Sequence, residues 1–106
     1  MSEINNKQQI SYNKIGDKMF SINDILKVAK ELNIDFTKFS LSEFITGINI
    51  ELEHGKVNPL TNVTNDNLLT TAKIALAHLN EYPDYYNKNH GLPAFENYLK
   101  QFNKNI

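Results

Sequence analysis

Two short stretches of this chain carry residue types that could do chemistry. "IELEHG", Ile50 to Gly55, holds Glu51, Glu53 and His54, and "ALAHLNEYPDYY", Ala75 to Tyr86, holds His78, Glu81, Asp84, Tyr85 and Tyr86. At about 100° per residue, a histidine and a carboxylate three positions apart are neighbours on a helix surface. Glu51 and His54 make one such pair, and His78 and Glu81 make the other. Glu53 adjoins His54 but faces almost the opposite way. Two histidines and two carboxylates suit zinc, manganese or iron. Carboxylate-bridged dinuclear centres in bundles use a Glu-x-x-His order, which "ELEH" supplies and His78–Glu81 reverses. The further glutamates such a centre needs come down to Glu31, Glu43 or Glu96. Glu51, His54, His78 and Glu81 are therefore the principal candidates, with Asp84, Tyr85 and Tyr86 behind them.

The competing reading is structural. His54 interacts with a helix C-terminus, while His78, flanked by Ile74, Ala75 and Leu79, is a covered imidazole needing hydrogen-bond partners. Glu51 and Glu81 then serve as those partners, and one or two of the Tyr82, Tyr85 and Tyr86 rings close the core and donate a hydroxyl to Glu51, Asp66 or a backbone carbonyl. His90, before Gly91, reads as a solvent-facing loop residue. The zinc-protease H-E-x-x-H, phosphate-loop and dinucleotide signatures are absent. A Ser-His-Asp set assembled from Ser40, His54 or His78 and Asp66 lacks a nucleophile-elbow sequence. No cofactor is favoured, and an enzyme is not the preferred reading.

The elements that must position these residues are helical. In "SINDILKVAKELN", Ile22, Ile25, Leu26, Ala29 and Leu32 form one apolar stripe, with Ser21 as N-cap. Ser40 and Glu43 form a capping-box pair before Leu41, Phe44, Ile45, Ile48 and Leu52. Gly55 stands where a helix end needs a left-handed residue. After a loop around Pro59, Thr64 or Asn65 is the expected cap of a third helix, with Asp66 in its first turn. Leu68, Leu69, Ala72, Ala75, Leu76 and Leu79 make that helix the apolar centre. Pro83 opens a short extra turn. "AFENYLKQF" places Phe95, Tyr98, Leu99 and Phe102 on a last stripe. The pattern predicts an all-α compact bundle of four or five short helices, near 21–33, 41–54, 66–81 and 93–103. Residues 1–20 form an irregular N-terminal arm or short hairpin, and 21–106 a single helical domain.

This architecture sets a condition on the chemistry. Both pairs lie near the C-terminal ends of their helices. If those helices pack antiparallel, like ends sit roughly 18 Å apart over twelve residues. The expectation is two local pairs rather than one shared centre, unless the helices cross or the Gly55 turn folds over the third helix.

Composition narrows the partners. Of 106 residues, 41% are hydrophobic, enough for a single globular domain. Eleven basic and twelve acidic residues leave a net charge of -1, so no strong field gathers nucleic acid or anionic lipid. The tyrosines could stack bases, yet Lys73 and Lys88 are balanced by Glu81 and Asp84, and nucleic-acid binding is not expected. Zero cysteines exclude disulfides and thiolate-held zinc. No apolar run reaches the roughly 20 residues that span a bilayer, and the opening residues do not read as a signal peptide. Cytoplasmic residence is the expectation.

One resemblance bears on function. Over 31–86 the strings "ID" at Ile34–Asp35, Phe39, "ELEHG", "TNVTND", "KIALAHLNE" and "PDYY" occur in an order that resembles a family of small domains of unknown function. Its members occur in bacteria, bacteriophages and large DNA viruses. The segment 87–106 departs from that pattern. The resemblance implies a compact helical module with an accessory role, such as binding host machinery or forming part of a virion, and it carries over no reaction or cofactor. The favoured reading is a small soluble interaction module with a protein partner or self-association. The alternative is a metal-binding protein or metal-dependent enzyme built on the two pairs.

Overall fold

The computed structural model describes residues 20–104. The expected N-terminal arm, apart from Phe20, lies outside the described residues. Within them the chain forms four α-helices: α1 Ile22–Glu31, α2 Leu41–Glu51, α3 Leu68–Glu81 and α4 Leu92–Lys104. Short 3-10 turns follow at Leu52–His54 and Pro59–Thr61. No fifth helix forms at Pro83. There the chain makes successive turns, with Tyr85 N–H donating to the Tyr82 carbonyl and Asn87 N–H to that of Asp84.

Caps set where the helices begin. The Ser21 hydroxyl accepts the Asp24 N–H at 3.0 Å, and the Ser40 hydroxyl accepts the Glu43 N–H at 3.1 Å. Each satisfies a donor that the first helical turn leaves unpaired. The second half of the capping box is not made. Glu43 does not reach back, and its Oε1 is buried without a hydrogen-bond partner among the described residues. The cap of α3 is Asn67, whose side chain accepts the Thr70 N–H at 2.9 Å, and not Thr64 or Asn65. The reason lies just upstream. Asn65 and Asp66 take positive φ of 54° and 60°, which turns the chain before the helix can start. Asp66 therefore lies outside the first turn of α3, and its carboxylate accepts the Lys56 N–H at 2.9 Å.

That bond helps close a loop at its neck. Val63 N–H donates to the His54 carbonyl at 2.7 Å, and Thr64 N–H donates to the same oxygen at 3.3 Å. Val57, Leu60 and Val63 remain exposed on the loop. Gly55 sits at this neck with φ -107°, which is not the left-handed conformation its position suggested. An added Cβ there would collide with the Asp66 carboxylate and displace it from its bond to the Lys56 N–H.

The core joins Ile25, Val28 and Ala29 of α1, Phe44 and Ile48 of α2, and Ala72, Ala75 and Leu79 of α3, closed by Phe39 and Tyr86. Burying a Phe44 or an Ile48 contributes about 1.5–3 kcal/mol each. In α1 the buried stripe includes Val28, while Ile22 and Leu26 stay 37% and 42% exposed. The helices α2 and α3 meet at Gly47, where a Cβ would lie 3.2 Å from that of Ala75 and 2.5 Å from the Tyr86 ring. One turn beyond Gly47, Glu51 reaches His78, just under a turn beyond Ala75. An antiparallel pair in contact at Gly47 and Ala75 would carry Glu51 and His78 apart. The helices cross instead, and their C-terminal ends converge.

Helix α4 is attached at its start. Leu92 N–H donates to the Tyr85 carbonyl at 2.6 Å. From Phe95 to Asn103 every side chain is exposed. No described helix is long and apolar enough to cross a membrane.

Candidate functional site

The crossing of α2 and α3 delivers Glu51 into the interior, where only 4% of its side chain is exposed. Its Oε2 accepts the Tyr86 hydroxyl and lies 3.1 Å from His78 Nδ1, which is 3.0 Å from the same hydroxyl. The tyrosine proton is spent on the carboxylate. A bare Nδ1 would then face two oxygens with no donor between them, so Nδ1 carries a proton and donates to Glu51. On the other side, His54 Nε2 stands 3.6 Å from Glu51 Oε1. Burial, then the hydrogen bond to Glu51 and its charge, hold the Tyr86 phenol far above its ordinary value of 10.0.

Aromatic packing finishes the cluster. The His78 ring stacks on Tyr85 with centroids 4.2 Å apart and planes 6° from parallel, and Tyr86 meets Tyr85 edge-on at 4.9 Å. The Tyr85 hydroxyl is also shifted upward, first by burial and then by the charges of Glu51, Glu81 and Glu96.

The structure thus joins Glu51, His54, His78 and Tyr86, with Tyr85 as cover. The expectation of two separate pairs is overturned, because one glutamate serves both histidines across the crossing. Glu81, the proposed partner of His78, is exposed, and its side chain forms no hydrogen bond or ion pair among the described residues. Glu53, expected to point away, comes within 3.4 Å of His54 Nε2, because the 3-10 turn from Leu52 departs from α-helical spacing. Asp84 lies outside the cluster and holds His90 Nε2 at 3.2 Å on the surface.

Among the described residues, no group of three or more His, Cys, Asp or Glu side chains is arranged to hold a metal ion. Chemically the cluster is a buried carboxylate occupied by donors: the phenol and Nδ1–H both end on Oε2. That arrangement ties α2 to α3 and the Tyr86 turn through Oε2, while Oε1 faces His54 Nε2 at 3.6 Å.

Residues 25–93 match the family described as a protein of unknown function, DUF5661. The chain belongs to DUF5661. No curated protein and no solved structure matches it. The DUF5661 match begins at the fourth residue of α1, takes in α2, α3 and the whole Glu51 cluster, and ends at the second residue of α4. The remainder of α4 extends past it.

Sequence reasoning missed a second feature in this DUF5661 chain, a surface cleft of about 540 Å³ lined by Tyr82, Asp84, Tyr85, His90, Leu92 and Phe95, where α4 leaves α3. Its one signal was Gly91. A Cβ there would strike the Asp84 and Tyr85 carbonyls, so only glycine lets α4 begin against that turn.

Proposed function

We propose that this chain is an accessory protein-interaction module in which the helices α1 to α3 form the framework and α4 presents the docking face. The observation that carries this reading is the aromatic ladder on α4. Phe95 stacks on Tyr98 at 6.4 Å and Tyr98 on Phe102 at 6.3 Å, and each is more than half exposed. Single exposed apolar residues are ordinary, but a contiguous apolar face of this kind marks an interaction surface. Rigid aromatic rings are also the anchors that protein interfaces favour. The absence of a nucleophile motif in the sequence and the engagement of Glu51 Oε2 by both the Tyr86 hydroxyl and His78 favour a binding role over a reaction.

The test separates binding from folding. Tyr98→Ala and Phe102→Ala are expected to change unfolding free energy by no more than about 0.5 kcal/mol, as surface substitutions do. They are also expected to abolish recovery of the partner by the tagged full chain from its native source. Loss of stability by several times that amount, or unchanged recovery, would overturn the reading.

A further inference from the structure

We propose that the cleft between the end of α3 and the start of α4 receives an arginine side chain from the partner protein. The inference rests on the interaction reading above and names what that partner brings. At about 540 Å³ the cleft is of ligand-binding size. Its walls are the Tyr82, Tyr85 and Phe95 rings, and its lining carboxylate is Asp84. Asp84 Oδ2 holds His90, while Oδ1 makes no hydrogen bond among the described residues. Glu81 and Glu96 stand outside the lining, both exposed, and add negative charge felt at Tyr85. Aromatic faces with carboxylates around them attract a cation by ring quadrupole and Coulomb terms acting together.

The geometry points to arginine over lysine. A planar guanidinium stacks on ring faces, pairs with a carboxylate through two N–H groups, and loses its weaker hydration more readily. Tyr85 is already locked by its stack on His78, so little ordering is required of that wall on binding. The Phe95 ring belongs both to the cleft and to the exposed ladder. An arginine seated here therefore belongs to a partner segment whose apolar residues continue along Tyr98 and Phe102.

The experiment is a side-chain-resolved NMR titration of the labelled full chain with N-acetyl-arginine methylamide. The expected result is saturable shifts of the Tyr82, Tyr85 and Phe95 ring signals, with a dissociation constant on the order of millimolar. The citrulline analogue, neutral and of the same shape, should bind on the order of tenfold more weakly. Asp84→Asn and Tyr82→Ala should each weaken arginine binding by roughly threefold or more. If Tyr82→Ala fails to fold, Asp84→Asn, a change on an exposed side chain, carries the test. No saturable shift, or equal binding of citrulline, overturns the proposal. So does tetramethylammonium binding markedly tighter than arginine, which would make the cleft a site for small quaternary ammonium ligands. If arginine fails while Tyr98→Ala and Phe102→Ala still lose the partner, only this inference falls. If those variants keep the partner, the interaction reading itself falls.

Discussion

At the scale of single residues, the Glu51 carboxylate decides the most. It is buried, so each donor it loses leaves unmet hydrogen-bonding demand in the interior. Tyr86→Phe removes one donor while keeping the ring that packs on Gly47, and should cost about 1–3 kcal/mol in denaturant unfolding. Glu53→Ala, on the exposed side of the 3-10 turn, should stay within about 0.5 kcal/mol. The same phenol also shapes the response to alkali. Its proton is held more tightly in the folded chain than at the ordinary value of 10.0. The unfolded chain therefore releases that proton first as pH rises, so Tyr86 stabilises the fold fully below that value and progressively less above it. Urea unfolding followed from pH 8 to 11 should show a steeper loss for the parent than for Tyr86→Phe. Equal slopes would mean the phenol is not held by Glu51.

At the scale of helices, the crossing of α2 and α3 depends on a missing side chain. Gly47→Ala improves helix propensity by roughly 1 kcal/mol. It also drives a methyl into Tyr86 and Ala75, and overpacking of that kind costs about 1–3 kcal/mol. The crossing should win, giving a net loss of stability in thermal or denaturant unfolding. Asn67→Ala should cost about 1 kcal/mol as a lost cap, whereas Asn65→Ala would remove no cap. These sites also show what the sequence made legible. The Ser21 and Ser40 caps and the stripe on α3 were readable because each depends on residues a few positions apart. The convergence on Glu51 was not, since it depends on a crossing angle set by Gly47 against Ala75, far apart in the chain. Asn67 lost out to Thr64 and Asn65 because the left-handed turn at 65–66 leaves no periodic trace. The Tyr86 bond was one of several partners allowed for the tyrosines, and only the crossing selects it.

Across the whole molecule, stability is unevenly distributed. The buried side chains belong to α1, α2, α3, the Tyr86 turn and the connections at Phe39, Leu52 and Thr64, whereas α4 beyond Ala94 is exposed. Amide hydrogen exchange should therefore protect α2 and α3 most and release the amides of 97–103 first, by local opening rather than global unfolding. Uniform protection would show that α4 is held by something other than its start. The segment from His54 to Asp66 is organised in the opposite sense. Its ends are tied to each other, by His54 to Val63 and Lys56 to Asp66, while Leu60 at 93% exposure touches little. Leu60 is a place where the polypeptide can be cut, or a guest sequence spliced in, with the neck still clasped. Limited proteolysis there should yield fragments that co-elute under native conditions and keep a helical circular dichroism spectrum. A peptide grafted at that point would inherit a rigid two-legged mount from its host.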